Sequence, residues 1–430
     1  GIGDSILRKL TTGNQNVSLG SQSGRNLISG DENVFIGYQA GYTQETNSEN
    51  VLIGYQAGYT NNFSQANGIV AIGYKALFSQ NSNYVHVAIG NSALTALTTG
   101  YNCTAVGYQA GKVATTANSI TVVGYEAGLN ITTGSSNCFF GNFAGRSITT
   151  GDANVAIGNQ ALGYGLNCND NIAIGNQALK NHLPGGRNVA IGTSALDGSQ
   201  SNSNIALGYR SLYSETSGSL NIGIGEESLF TLTTGLSNIA IGFWAGRNIT
   251  SGKYNVILGS RDTTNYTGKN LTGGDDNFIA AGALSGTNTY SGDDGIFIGL
   301  SSHYSYSLTS GYANIGIGKS TGYNATTAVE SVYIGIFAGY GATTNTGCVA
   351  IGQNAGCGTT GNYNIGIGLY AGNTLTTGSN NTLIGNYAAP SAVNVSNEIT
   401  LGNANVTKFR IPGINFVLKI MAELPVMDLF

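Results

Sequence analysis

The stretch Asn154-Val155-Ala156-Ile157-Gly158-Asn159-Gln160-Ala161 decides how the whole chain is read. Val155 and Ile157 bracket a small residue, and such alternation places two β-branched side chains on one face of a short strand. The same order returns seventeen residues later as Asn171-Ile172-Ala173-Ile174-Gly175-Asn176-Gln177-Ala178. It returns again as Asn188-Val189-Ala190-Ile191-Gly192-Thr193-Ser194-Ala195. With the glycine as position 0, a unit reads Asn at −4, Val or Ile at −3, a small residue at −2, Ile at −1 and Ala or Ser at +3. A second apolar position falls at +7, as in Leu27, Leu97, Ile131, Ile148, Leu232, Ile249 and Leu375, commonly ahead of Thr-Thr-Gly or Thr-Ser-Gly. That ending suits a tight turn in which Gly supplies a positive φ.

Extended in both directions, the alignment gives 24 such positions from Gly3 to Gly402, and 18 of the 23 intervals are 17 residues. The exceptions are 19 (Gly54 to Gly73, Gly299 to Gly318), 16 (Gly192 to Gly208, Gly352 to Gly368) and 23 (Gly259 to Gly282). One unit buries too few apolar side chains to offset the ordering of its residues, at roughly 1.5 kcal/mol each, so it must stack on its neighbours. The expected fold is all-β: a parallel β-roll or β-solenoid of about 24 coils with a 17-residue repeat, two or three short strands per coil. At about 4.8 Å per coil it would form a rod on the order of 110 Å long.

Composition agrees. Sixty-six glycines in 430 residues rule out long helices. Charged residues are only 9% of the chain and the net charge is −4, too weak a field to gather phosphates or anionic lipid, so no nucleic acid and no membrane insertion is expected. The chain opens inside a coil at Ile2-Gly3, which suggests an upstream fibre segment. Two domains are expected: a repetitive shaft over residues 1–402 and a C-terminal cap or trimer clasp over 403–430. There Val406, Phe409, Ile411, Ile414, Phe416, Val417, Leu418 and Ile420 crowd together. The 17 residues from Ile414 to Phe430 carry Lys419, Glu423, Asp428 and a proline, and cannot span a bilayer.

The string Asn188-Val189-Ala190-Ile191-Gly192-Thr193-Ser194-Ala195 resembles the head repeats of trimeric autotransporter adhesins. The closing segment from Asn397 to Arg410 (Asn-Glu-Ile-Thr-Leu-Gly-Asn-Ala-Asn-Val-Thr-Lys-Phe-Arg) is similar to the end of the repetitive shaft in bacteriophage tail fibres. These resemblances imply a homotrimer, left-handed β-rolls and attachment to a cell-surface glycan or receptor. Adhesin head repeats are usually shorter than 17 residues, and the chain has no coiled-coil heptads and no membrane-barrel strands. The expected function is therefore the structural shaft of a phage tail fibre located on the virion. The alternatives are a secreted cell-surface adhesin or extracellular filament and, from another class, an ice-binding solenoid. A single-chain left-handed β-helix competes with the trimer, because Ile-Gly-x-x-Ala-x fits one hexapeptide rung.

Candidate chemistry is sparse. Tyr38, Tyr55 and Tyr74 share position +1 and would stack into an aromatic ladder. Tyr266, Tyr304 and Tyr306 lie in the irregular intervals and are candidates for receptor or glycan contact. Asp275-Asp276 and Asp293-Asp294 fall on adjacent coils and could gather oxygens for Ca²⁺, although solvated loop charges are the favoured reading and the Gly-Gly-x-Gly-x-Asp calcium repeat is absent. The cysteines Cys103, Cys138, Cys168, Cys348 and Cys357 have no metal-site spacing and read as small buried residues. His86, His182 and His303 read as isolated surface residues, and solitary Trp244 as packing. A depolymerase would need two carboxylates flanking a cleft, and the repeat provides no such pair, so the chain is not expected to be an enzyme.

Overall fold

A computed structural model describes residues 1–60, 67–181, 185–198, 200–259, 267–268, 273–280, 294–299, 311–356, 358, 360–411 and 416–419. The chain is an all-β parallel solenoid with no helix among these residues. It divides into two compact units, Gly1–Tyr254 and Asn255–Phe430. The first contains fourteen three-residue strands, from Val17–Leu19 to Ile239–Ile241, and the second nine, from Val256–Leu258 to Ile399–Leu401.

Every strand occupies positions −3 to −1. Neighbours pair parallel and in register, as in Ile172↔Val155, Ala173↔Ala156 and Ile174↔Ile157. Each described coil therefore has one strand rather than two or three. The rest of the coil is turns, because besides the corner glycine three positions per coil commonly adopt positive φ: −5, +2 and +4, as in Ala153 (56°), Gln160 (54°) and Leu162 (51°). A left-handed residue cannot continue a strand. Adjacent turns are still tied together by main-chain bonds such as Thr115 N–H to Thr132 C=O, 2.9 Å.

Strand alternation has one inward and one outward face, and the small residue points inward. Ala156 is 0% exposed, whereas Ile157 is 40% exposed. The glycine at position 0 is fixed twice over. Gly158 has φ 133°, and a Cβ there would meet the carbonyl oxygen of Gly175 at 2.5 Å. Stacking at this corner leaves no room for a side chain.

The core is filled from two alternative positions. Where −2 is large, +4 is commonly glycine: Phe35 with Gly41, Leu52 with Gly58, Phe139 with Gly145 and Tyr333 with Gly339. Where −2 is alanine, +4 is commonly leucine: Ala71 with Leu77, Ala88 with Leu94, Ala156 with Leu162, and likewise through Ala206 with Leu212. In these coils one large side chain fills the same space from either wall, which keeps packing dense as the sequence drifts.

The asparagines at −4 form a buried polar spine. Asn154 Nδ2 donates to the Cys168 carbonyl (2.7 Å), while its Oδ1 accepts from the Asn171 backbone N–H (3.1 Å) and Nδ2 (3.1 Å). Asn171 repeats this toward Asn188, and Asn188 toward Asn204 through its backbone N–H (2.9 Å). The pairing also corrects the register in the second unit. Phe278–Ala280 pairs with Val256–Leu258, and Asn277 bonds Asn255, so position 0 falls on residue 281 and not on Gly282. The asparagine, and not the nearest glycine, sets the phase there. After Gly402 the coils give way to an antiparallel pair, Lys408–Ile411 with Phe416–Lys419.

Candidate interaction surfaces

Positions −3 and −1 give the solenoid an outward stripe of β-branched side chains. Val155 and Ile157, Ile172 and Ile174, and Val189 and Ile191 are half-buried or exposed above a buried alanine. The sides of each residue are covered by the coils above and below, so what remains open is the outer cap. The pattern repeats from Val34–Ile36 to Ile239–Ile241 in the first unit.

A second surface lies past the glycine corner. Tyr38, Tyr55 and Tyr74 stack with ring centroids 5.4 and 5.3 Å apart, each more than 40% exposed. Position +5 carries a parallel row, in which Tyr42, Tyr59 and Phe78 stack at 5.1 and 5.0 Å. Between the two rows runs a chain of amides at +2: Gln56 Nε2 donates to Gln39 Oε1 (2.8 Å), and Gln39 Nε2 to Gln22 Oε1 (2.7 Å). Lys75 ends it, with its ammonium near both the Tyr74 and Phe78 rings.

On the same face a carboxylate, an aromatic ring and a guanidinium occur together twice. Arg146 Nε bonds Glu126 Oε2 at 2.8 Å while its guanidinium lies 5.2 Å from the Phe143 ring. Arg247 bonds Glu227 at 2.8 Å and lies 4.4 Å from the Trp244 ring. Each member of the second set follows its counterpart by 101 residues, as the numbering shows (126 to 227, 143 to 244, 146 to 247), a step of six coils. Trp244 also stacks on Phe243 at 5.2 Å.

Tyr266, Tyr304, Tyr306 and Asp293 lie outside the described residues. Asp276 and Asp294 occupy equivalent left-handed positions, both with φ 58°, and the Asp294 N–H donates to the Asp275 carbonyl. Among the described residues no three His, Cys, Asp or Glu side chains are grouped to hold a metal ion. Cys103, Cys168 and Cys348 are buried free thiols, and Cys138 is half-buried. Burial raises Cys103 to about 11 and Cys168 to about 12, which keeps both unreactive near neutral pH. His86 is not a surface residue. It is 1% exposed at the spine position −4, where its Nδ1 accepts from the Cys103 backbone N–H (3.3 Å) and burial lowers its pKa to about 4. The signal for this was its position between Ile69 and Cys103, both −4 residues.

Comparison with protein-family models, with curated proteins and with solved structures found no match. The molecule is thus defined by its fold, a parallel β-solenoid of 17-residue coils with an outward aliphatic stripe.

Proposed function

We propose that the chain is the shaft of a phage tail fibre, assembled from three parallel copies and mediating attachment to a host surface. The observation that carries this reading is the outward Val/Ile stripe. Ile157, Ile172, Ile191 and Ile241 each keep more than a third of their surface open along this stripe, and a contiguous apolar patch larger than a few hundred Å² marks an interaction surface. A matching partner must repeat at the same rise over the same length, and a second and third copy of this chain do so by construction. The antiparallel pair near residues 408–419 would close the trimer as a clasp. No chemical step is assigned to any residue. The ice-binding alternative is disfavoured because the regular threonine hydroxyls are used internally: Thr98, Thr115 and Thr132 each donate to a carbonyl of the next coil, at 3.0, 3.2 and 3.0 Å.

Immunogold labelling with an antibody to this chain tests the reading. Label along a fibre of the phage particle, with antibody blocking adsorption, is expected. Label on a bacterial cell envelope would replace the virion by a cell-surface adhesin.

A further inference from the structure

Position +5 forms a row of side chains along the first unit, and Gly163 is a missing tooth in it, flanked by Arg146 one coil before and Lys180 one coil after. The gap leaves a notch of about 140 Å³ lined by Phe143, Arg146, Gln160, Gly163 and Tyr164. We propose that this notch is a binding subsite for one pyranose ring of a neutral surface glycan. The inference rests on the attachment function proposed above and names where on the shaft a sugar would sit.

Three features of the notch match a sugar. The first is an aromatic wall: Tyr164 is 45% exposed, and the Phe143 ring lies across the gap. A pyranose presents a face of C–H groups that packs on such rings as an apolar surface would. The second is donor capacity. Gln160 Oε1 accepts from Gln177 Nε2 at 3.2 Å, which leaves the Gln160 Nε2 group for a ligand hydroxyl. Arg146 spends its Nε on Glu126 and leaves both terminal nitrogens. The third is preorganisation. The Glu126 pair and the Phe143 ring hold the Arg146 guanidinium, so little side-chain entropy is lost on binding.

Charge selects the neutral class. Arg146 is balanced by Glu126, and Lys180, near the Tyr164 ring at 5.7 Å, faces Asp197 on the following coil, so the notch has no net charge to recruit a carboxylated or sulfated sugar. The volume admits a single ring, so affinity for one site is low, and repetition across a trimer would raise it.

The full-length chain can be tested on an array of bacterial surface polysaccharides, with hits titrated by calorimetry. Gly163→Lys fills the notch with a residue that the row already accepts at Lys112 and Lys180, and Tyr164→Ser removes the wall. Binding to a neutral polysaccharide is expected, weakened at least tenfold in both variants, with sedimentation and melting unchanged. No array binding, preference for acidic polysaccharides, or the parent's affinity retained in either variant would overturn the proposal. Sedimentation on the same samples separates the two readings: a trimer without glycan binding refutes only the notch, and a monomer refutes the shaft.

Discussion

Phe35 fills the space that a side chain on Gly41 would need: a Cβ on Gly41 would stand 2.8 Å from the Phe35 ring. The coil of Ala71 and Leu77 solves the same packing problem from the opposite wall.

This exchange predicts a compensating pair. Gly41→Leu alone should destabilise by about 2–3 kcal/mol through overpacking, and Phe35→Ala alone by about 3–5 kcal/mol through a cavity. The double variant recreates the Ala71/Leu77 arrangement and should return to within about 1.5 kcal/mol of the parent. Urea unfolding of the four proteins completes the cycle. Additive losses would mean that the two positions do not share one volume.

The asparagine spine predicts a cost without a change in apolar volume. Asn154→Ala strands the Asn171 N–H and the Cys168 carbonyl inside the stack. Each buried group left unpaired costs about 1–3 kcal/mol. Hydrogen exchange at Asn171 should accelerate in the variant, while exchange several coils away stays unchanged because each coil contacts only its neighbours.

His86 predicts acid sensitivity. Its folded pKa of about 4 lies below the usual value of 6.5, because burial disfavours the imidazolium. Between these values the unfolded chain binds a proton that the folded chain does not, so stability is complete above pH 6.5 and falls as the pH drops toward 4. The loss reaches about 3 kcal/mol. His86→Asn restores the common spine residue and should remove this component, which appears as a smaller gap between melts at pH 7 and pH 5 than in the parent. Equal gaps would show that His86 does not titrate on unfolding.

The period, the strand position and the usual corner glycine were legible in the sequence, because Asn154 and Gly158 recur with the phase of the coil. Which strand face points inward was not, since Val155-Ala156-Ile157 alternates identically whichever way it faces. The glycine at Gly282 misled the register because the chain there keeps Asn277 and not the corner glycine. His86 read as a surface residue because histidine is polar, although its place at −4 marked it as buried. The notch at Gly163 left no mark, because position +5 varies and one glycine in it is unremarkable.

Val155, Ile157 and their counterparts are outward in one chain and, in the proposed assembly, buried among three. Sedimentation equilibrium of the full-length chain at micromolar concentration tests it most directly, alongside a variant with Ile157, Ile174 and Ile191 all changed to Lys. A trimer is expected for the parent and, for the variant, a smaller species with its β circular dichroism intact. A well-folded parent monomer would contradict it.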